Sequence, residues 1–315
     1  MGGRSQGNAG VATHQLLVEP PFRLDLTVSA LRRSPTNVVD VYTADGRYLR
    51  ALDGRSRPVI VSVTQPRSDA LSVSVHGAHA DGARGVACIR RMLGTERDLS
   101  AFHRRARRVP WLAPLARRLR GLRPPRYPAL FEACANAIVF QQVSIHAAGA
   151  IMRRLLHAVG TEVEHEGVPL VVFPTAERLL QATDATIRAA GLSASKLATL
   201  RRAAEAIASG ALSEAMLEEL PSEAAAQVLQ RIKGIGPWTA AVILLRGLGR
   251  IDVLPGNDSG VRATLDRVAG REVTAESVAE QLGTERGMAY FCLLLARLEA
   301  RGEIGGASDV ASQRT

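Results

Sequence analysis

The chain has 315 residues, 46% of them hydrophobic, and a formal net charge of +10, which allows two or three small domains with a real core. Its longest apolar runs, such as AAVILL, fall short of the ~20 residues that cross a bilayer, and the opening MGGRSQGNAGVATHQ lacks the apolar stretch of a signal peptide, so the expectation is a cytoplasmic protein with no membrane contact. Three cysteines, Cys88, Cys134 and Cys292, lie too far apart for a CxxC motif, a zinc site or a cysteine-ligated iron–sulfur cluster, and the positive charge points to a polyanionic partner or an arginine-rich proteome.

Residues 1–19 are Gly-rich and polar and are expected to form a disordered tail, as is the stretch 306–315. From Phe22 to Val75, short runs alternate apolar and polar residues: FRLDLTVSAL, NVVDVYT, RYLRAL, PVIVSVTQ and LSVSVH. Turn-forming SPTN, ADG, DGRSRP and PRSD separate them, so the expectation is an antiparallel sheet. A helix follows over 83–94, then a basic, proline-marked linker with a short helix, closing an N-terminal α+β unit at 20–112. From Ala129 onward every strong segment reads as helix, with a helical domain over 113–247 and a C-terminal helical part over 248–305, containing helices near 259–268, 274–282 and 287–300. The fold class is α+β: a small N-terminal antiparallel sheet domain followed by a mainly α-helical body.

One helical stretch is broken by RIKGIGPWTA, in which two glycines stand one residue apart and Pro237 follows directly. Proline suits the first position of a helix because its missing N–H costs nothing there. The turn at 232–237 therefore links two helices, and the free amides of the second point where an anion can approach the backbone. A phosphate is the natural ligand, while an ordinary αα-hairpin is the structural alternative. A P-loop is excluded, since no GK[ST] follows and no strand precedes.

QRIKGIGPWTAAVILLRGLGRIDVLPGNDSGVR resembles the helix–hairpin–helix, glycine/proline-rich loop and aspartate signature of the helix–hairpin–helix DNA glycosylase superfamily. It looks most like the bacterial DNA-3-methyladenine glycosylase II branch, and the resemblance runs over roughly residues 22–300. It implies that Lys233, Gly234, Ile235, Gly236, Trp238 and Thr239 grip DNA. A monovalent ion held by the main-chain carbonyls of Gln230, Ile232 and Ile235 would assist, with no other cofactor required. It also implies that Gln141 and Gln142, which interrupt an apolar helix in AIVFQQVSI, line the mouth of the cleft; satisfied core amides are the alternative.

Asp258 follows a Pro-Gly turn and precedes a helical stretch, a good N-cap position. A carboxylate there accepts backbone N–H bonds at the positive end of a helix, which favours its ionised form. Breaking an N-glycosidic bond passes through an oxocarbenium-like state that needs a fixed negative charge and a water, and the resemblance places the catalytic aspartate at this position rather than at Asp252 or Asp266. The family's lyases carry a lysine two residues after the second hairpin glycine. Here that residue is Trp238, and only Lys196 and Lys233 offer side-chain amines.

The base pocket implied by the resemblance comprises Trp238, Val242, Tyr290 and Leu294, with aliphatic side chains at two positions where well-known members have aromatic rings. Weak stacking would then leave the enzyme dependent on lesions that make the base a good, cationic leaving group. The function implied is a monofunctional DNA N-glycosylase that flips a damaged base, an alkylated purine, and hydrolyses its bond to deoxyribose. It would work as a monomer on double-stranded DNA near the nucleoid and pass its product to abasic-site repair enzymes. A bifunctional glycosylase/lyase for oxidised bases and a non-catalytic DNA-binding protein are the alternatives.

Overall fold

Alternating burial along Ala70–Gly77 puts Leu71, Val73 and Val75 on one covered face, and the sheet grows outward from this strand. A computed structural model describes residues 10–54, 57–77 and 82–304 of the chain. Strands β1 (Gly10–Leu17), β2 (Asp40–Tyr42), β3 (Tyr48–Leu52), β4 (Val59–Arg67) and β5 (Ala70–Gly77) form one antiparallel sheet in the order β1-β5-β4-β3-β2. Helix α2 (Gly82–Leu93) crosses it, and a Cβ on Gly85 would stand 3.1 Å from the Val75 methyls. Glycine permits this close approach.

The sequence reading of the N-terminal region needs two corrections. Residues 10–17, expected in a tail, are β1, paired from Gly10↔Gly77 to Leu17↔Ala70. The unpaired edge of β5 supplies the hydrogen bonds that this polar run could not obtain alone. Residues 1–9 and 305–315 lie outside the described residues. FRLDLTVSAL, expected as a strand, is helix α1 (Leu24–Arg32), with Leu24, Val28 and Leu31 buried. Over so short a run the periods of 2 and 3.6 fit almost equally well, and packing decides.

Helix α3 (Ser100–Ala106) was not expected, while α4 (Leu112–Arg118) is the short helix expected within the linker. Their apolar faces share a core with helices α13 (Ser259–Ala269), α14 (Ala275–Leu282) and α15 (Gly287–Glu299). The larger core runs from the sheet into α5 (Leu130–Val139), α6 (Ile145–Val159), α7 (Ala176–Gln181), α8 (Asp184–Ala189), α9 (Ala194–Ala208), α10 (Glu214–Glu218), α11 (Ser222–Gln230) and α12 (Pro237–Gly247). A hairpin that the sequence reading missed, β6 (Thr161–His165) with β7 (Val168–Val172), interrupts these helices. It packs Leu170 and Val172 against Leu49 and Ala51 of β3.

Two buried arginines tie the parts together. Arg50 of β3 bridges Asp40 at 2.6 Å and Glu132 of α5 at 2.5 Å. Arg246, fully buried on α12, donates to the carbonyls of Ala30 (3.0 Å) and Leu31 (2.9 Å), satisfying the C-terminal end of α1. Its guanidinium lies over the rings of Tyr127 and Phe291. The last turn of α1 is thereby fixed against α12. No helix among the described residues is long and apolar enough to cross a membrane.

Candidate active site

The turn between α11 and α12 is built on Gly234, whose φ of +102° is disfavoured for any other residue. A Cβ there would also lie 2.8–2.9 Å from Thr199 carbons and closer still to its hydroxyl. Ile235 is 4% exposed and plugs the turn into the core, while its N–H donates to the Ile232 carbonyl at 2.9 Å. That amide, expected to meet DNA, is therefore used within the turn.

Among the described residues, the N–H groups of Gly234, Gly236, Trp238 and Thr239 find no protein acceptor. They cluster at the positive end of α12, the arrangement that binds an anion. At Gly236 an added Cβ would meet nothing within 4 Å. The carbonyls of Lys233 and Gly234 accept from Arg202 and Gln141. Those of Gln230 and Ile235 have no protein donor among the described residues, and that of Ile232 carries one. Free carbonyl lone pairs are the donor set a hard monovalent cation requires.

Asp258 is the N-cap of α13, and its Oδ1 accepts from the N–H groups of Gly260 and Val261, both at 2.9 Å. Its Oδ2 accepts from the Trp238 indole N–H at 3.2 Å. One oxygen thus caps the helix while the other is held by the hairpin residue. The bonds fix the carboxylate without consuming all its lone pairs. Asp252 and Asp266 do not border this cleft, and Asp266 is paired with Arg262 at 2.9 Å.

Asp258, the glycine turn and the end of α5 surround a cleft of about 1080 Å³. Of the residues the resemblance assigned to a base pocket, Trp238, Tyr290 and Leu294 line it, and Phe140 adds a third aromatic side chain that the sequence reading missed. Val242 does not belong to the wall. It is 1% exposed and lies in the core, because α12 is enclosed on nearly all sides beyond its first turn. Lys233 is exposed and does not line the cleft.

Gln141 and Gln142 separate. The Gln141 amide donates to the Gly234 carbonyl at 3.0 Å and to Thr239 Oγ1 at 2.8 Å, bracing the hairpin against α5. Gln142 is exposed at a φ of +51° on the rim, beside Val143 at 38% exposure. A polar and an apolar side chain thus project together at the mouth.

Three basic residues of the cleft, Arg33, Lys196 and Arg297, were not assigned to it by the sequence reading. Lys196 lines it and donates to the Val139 carbonyl at 2.8 Å, and burial lowers its pKa. Arg33 follows α1 with a left-handed φ of +58° and is 5% exposed. Its guanidinium lies 4.8 Å from the centre of the Phe140 ring. Burial works against its charge, but Tyr127, Tyr290 and Asp258 together hold its pKa above the ordinary arginine value. A positive-φ arginine in the RRSPTN segment is visible only once that segment is read as the end of a helix.

Residues 135–285 match the family described as HhH-GPD superfamily base excision DNA repair protein. A DNA-3-methyladenine glycosylase of Bacillus subtilis is 30% identical over 187 residues, which make up 59% of this chain and 62% of that protein. The chain thus spans less than two thirds of that relative. DNA-3-methyladenine glycosylase 2 of Escherichia coli is 26% identical over 76% of this chain and 82% of its own length. A solved 3-methyladenine DNA-glycosylase from Archaeoglobus fulgidus superposes with a TM-score of 0.74 at 28% identity, covering 90% of this chain and 98% of that one.

Proposed function

We propose that the chain is a member of the HhH-GPD superfamily of base excision DNA repair proteins, whose family model matches residues 135–285, and that it is a monofunctional DNA N-glycosylase acting on alkylated purines in duplex DNA. The observation that carries this reading is the joint placement of Asp258, held by Trp238 and the amides of α13, and the unpartnered amides of the glycine turn around one cleft. The turn would hold a backbone phosphate while a base flipped into the cleft presents its C1′ to the carboxylate. The fixed anion stabilises the oxocarbenium-like state and orients the water that completes hydrolysis. The names of the Bacillus, Escherichia and Archaeoglobus relatives support alkylated purines as the substrate class.

On this reading Gln142 and Val143 fill the gap left by the flipped nucleotide, and a monovalent cation on the carbonyls of Gln230, Ile232 and Ile235 helps the turn hold its phosphate. The abasic product passes to enzymes that cut abasic strands. The working form is a monomer in the cytoplasm, close to the nucleoid. Lys196 favours a second reading as a lyase, since its amine lines the cleft and burial lowers its pKa.

The test is base release from duplexes that each carry one lesion, with wild-type protein and Asp258→Asn. Asn caps a helix about as well as Asp, so the fold should hold. A charge ~4 Å from the developing cation at an effective dielectric near 20 is worth about 4 kcal/mol, so release should slow about 10³-fold while lesion-DNA binding persists. Near-normal release by the variant would remove Asp258 from the chemistry.

A further inference from the structure

We infer that Arg33 is a specificity-determining residue of this cleft, selecting purines that carry a carbonyl at position 6 over those that carry an amino group. The inference rests on the glycosylase reading of the same site. Arg33 is 95% covered, and its Nε and Nη2 are sealed from solvent without a hydrogen-bond partner among the described residues. No carboxylate pairs with it there either. Nη1 likewise finds no protein acceptor among the described residues, and with Nε and Nη2 sealed it is the donor through which Arg33, which lines the cleft, would meet a ligand. A guanidinium is rarely buried without a hydrogen-bond acceptor, because the loss of water from its N–H donors then goes unreplaced. A ligand's lone pair would compensate it.

Three further observations place the group for such a role. Its backbone sits in the left-handed region, at a cost that proteins tend to tolerate at functional sites. Arg246 locks the turn that carries it by binding the carbonyls of Ala30 and Leu31. The Phe140 ring supports one face of the guanidinium, leaving its edge for an in-plane acceptor. Arginine N–H donors match the O6 acceptor of a 6-oxopurine, whereas a 6-aminopurine presents N–H donors at that position.

The contact also strengthens as the bond breaks. When the C1′–N9 bond of a neutral 6-oxopurine cleaves, both electrons leave with the base, and the negative charge spreads onto O6, where the guanidinium donates. Water then forms the C1′–O bond and gives its proton to Asp258, and the departed base takes up a proton from solvent. An interaction that grows with the developing charge lowers the barrier rather than merely binding substrate. The sequence expectation of a pocket dependent on cationic leaving groups took no account of this residue.

The test compares pairs of bases in which the leaving-group charge cancels. 7-Methylguanine and 3-methyladenine are both cationic but differ at position 6, as do the neutral pair hypoxanthine and adenine, placed opposite an abasic analogue so that pairing energy cancels as well. In single turnovers, Arg33→Met should lower the ratio of 7-methylguanine to 3-methyladenine release about 10- to 100-fold relative to wild type, the range for one hydrogen bond to a charged group. Arg33→Lys should recover part of that ratio.

Wild-type protein alone should release hypoxanthine at least about tenfold faster than adenine, a result that needs no variant to fold. An equal loss on both cationic lesions would assign Arg33 to support of Asp258 or of the fold and overturn the inference. So would an unchanged ratio, or equal release of the neutral pair. Release of none of the four bases by wild-type protein would instead bring down the glycosylase reading, and this inference with it.

Discussion

The two glycines of the hairpin make separable demands, and substituting each tests a different part of the argument. Gly234→Ala forces a Cβ into a backbone with φ of +102° and within 2.9 Å of Thr199 side-chain atoms. The backbone term costs about 1–2 kcal/mol and the steric overlap about 1–3 kcal/mol. At roughly 2 °C per kcal/mol for a chain of this size, the melting temperature should fall by roughly 4–10 °C.

Gly236→Leu meets open space and has an ordinary φ of −91°, so the melting temperature should move by less than about 2 °C, as for a neutral surface change. The leucine would instead occupy the approach to the unpartnered amides. One lost phosphate contact should weaken binding about tenfold and lower the slope of log K against log salt by about 0.9. Because phosphate contacts position rather than specify, the loss should be the same with and without a lesion. Fluorescence anisotropy across a salt series, alongside thermal melts, reads both quantities. Unchanged affinity for Gly236→Leu, or a loss confined to one lesion, would refute the phosphate-site reading of the turn.

Trp238→Phe keeps a ring on the cleft wall but removes the indole N–H from Asp258; release should slow about tenfold with affinity nearly unchanged, the effect of one hydrogen bond to a charged group, and an unaltered rate would show that Trp238 does not hold the carboxylate. Borohydride added during turnover should trap no covalent protein–DNA adduct, because Trp238 stands where the lyase lysine is expected; a trapped band lost in Lys196→Ala would establish the lyase reading instead. Burial pushes Glu132 up to about 7 against the pull of Arg50. The folded state then holds a proton that the unfolded chain, with an ordinary glutamate, has released. The resulting stabilisation is complete below the ordinary carboxylate range and is lost as pH rises through about 7. Wild-type protein should therefore lose melting temperature between about pH 5 and 8 relative to Glu132→Gln, and parallel curves would show that Glu132 is already ionised in the fold.

What the sequence determined by itself is local. RIKGIGPWTA fixes a turn because Gly234 alone tolerates its backbone and Pro237 starts a helix wherever it stands. PGNDSG fixes an N-cap because a carboxylate captures the amides two and three residues ahead, whatever lies beyond. Strands β2 to β5 and helices α13 to α15 were legible for the same reason, since their apolar spacing recurs over enough residues to select one period. Where the run was short or the partner remote, tertiary structure decided. FRLDLTVSAL satisfies two periods, and Arg246, 216 residues away from Ala30, ties the end of its helix to α12. Residues 10–17 become a strand because β5 offers an open edge. Val242 leaves the base pocket because α12 is enclosed. Arg33 enters the cleft because its turn is carried there from the other end of the chain. Spacing along a helix specifies which residues share a face, but the neighbour that face meets depends on how distant elements pack, and a single sequence does not carry that packing in any local pattern.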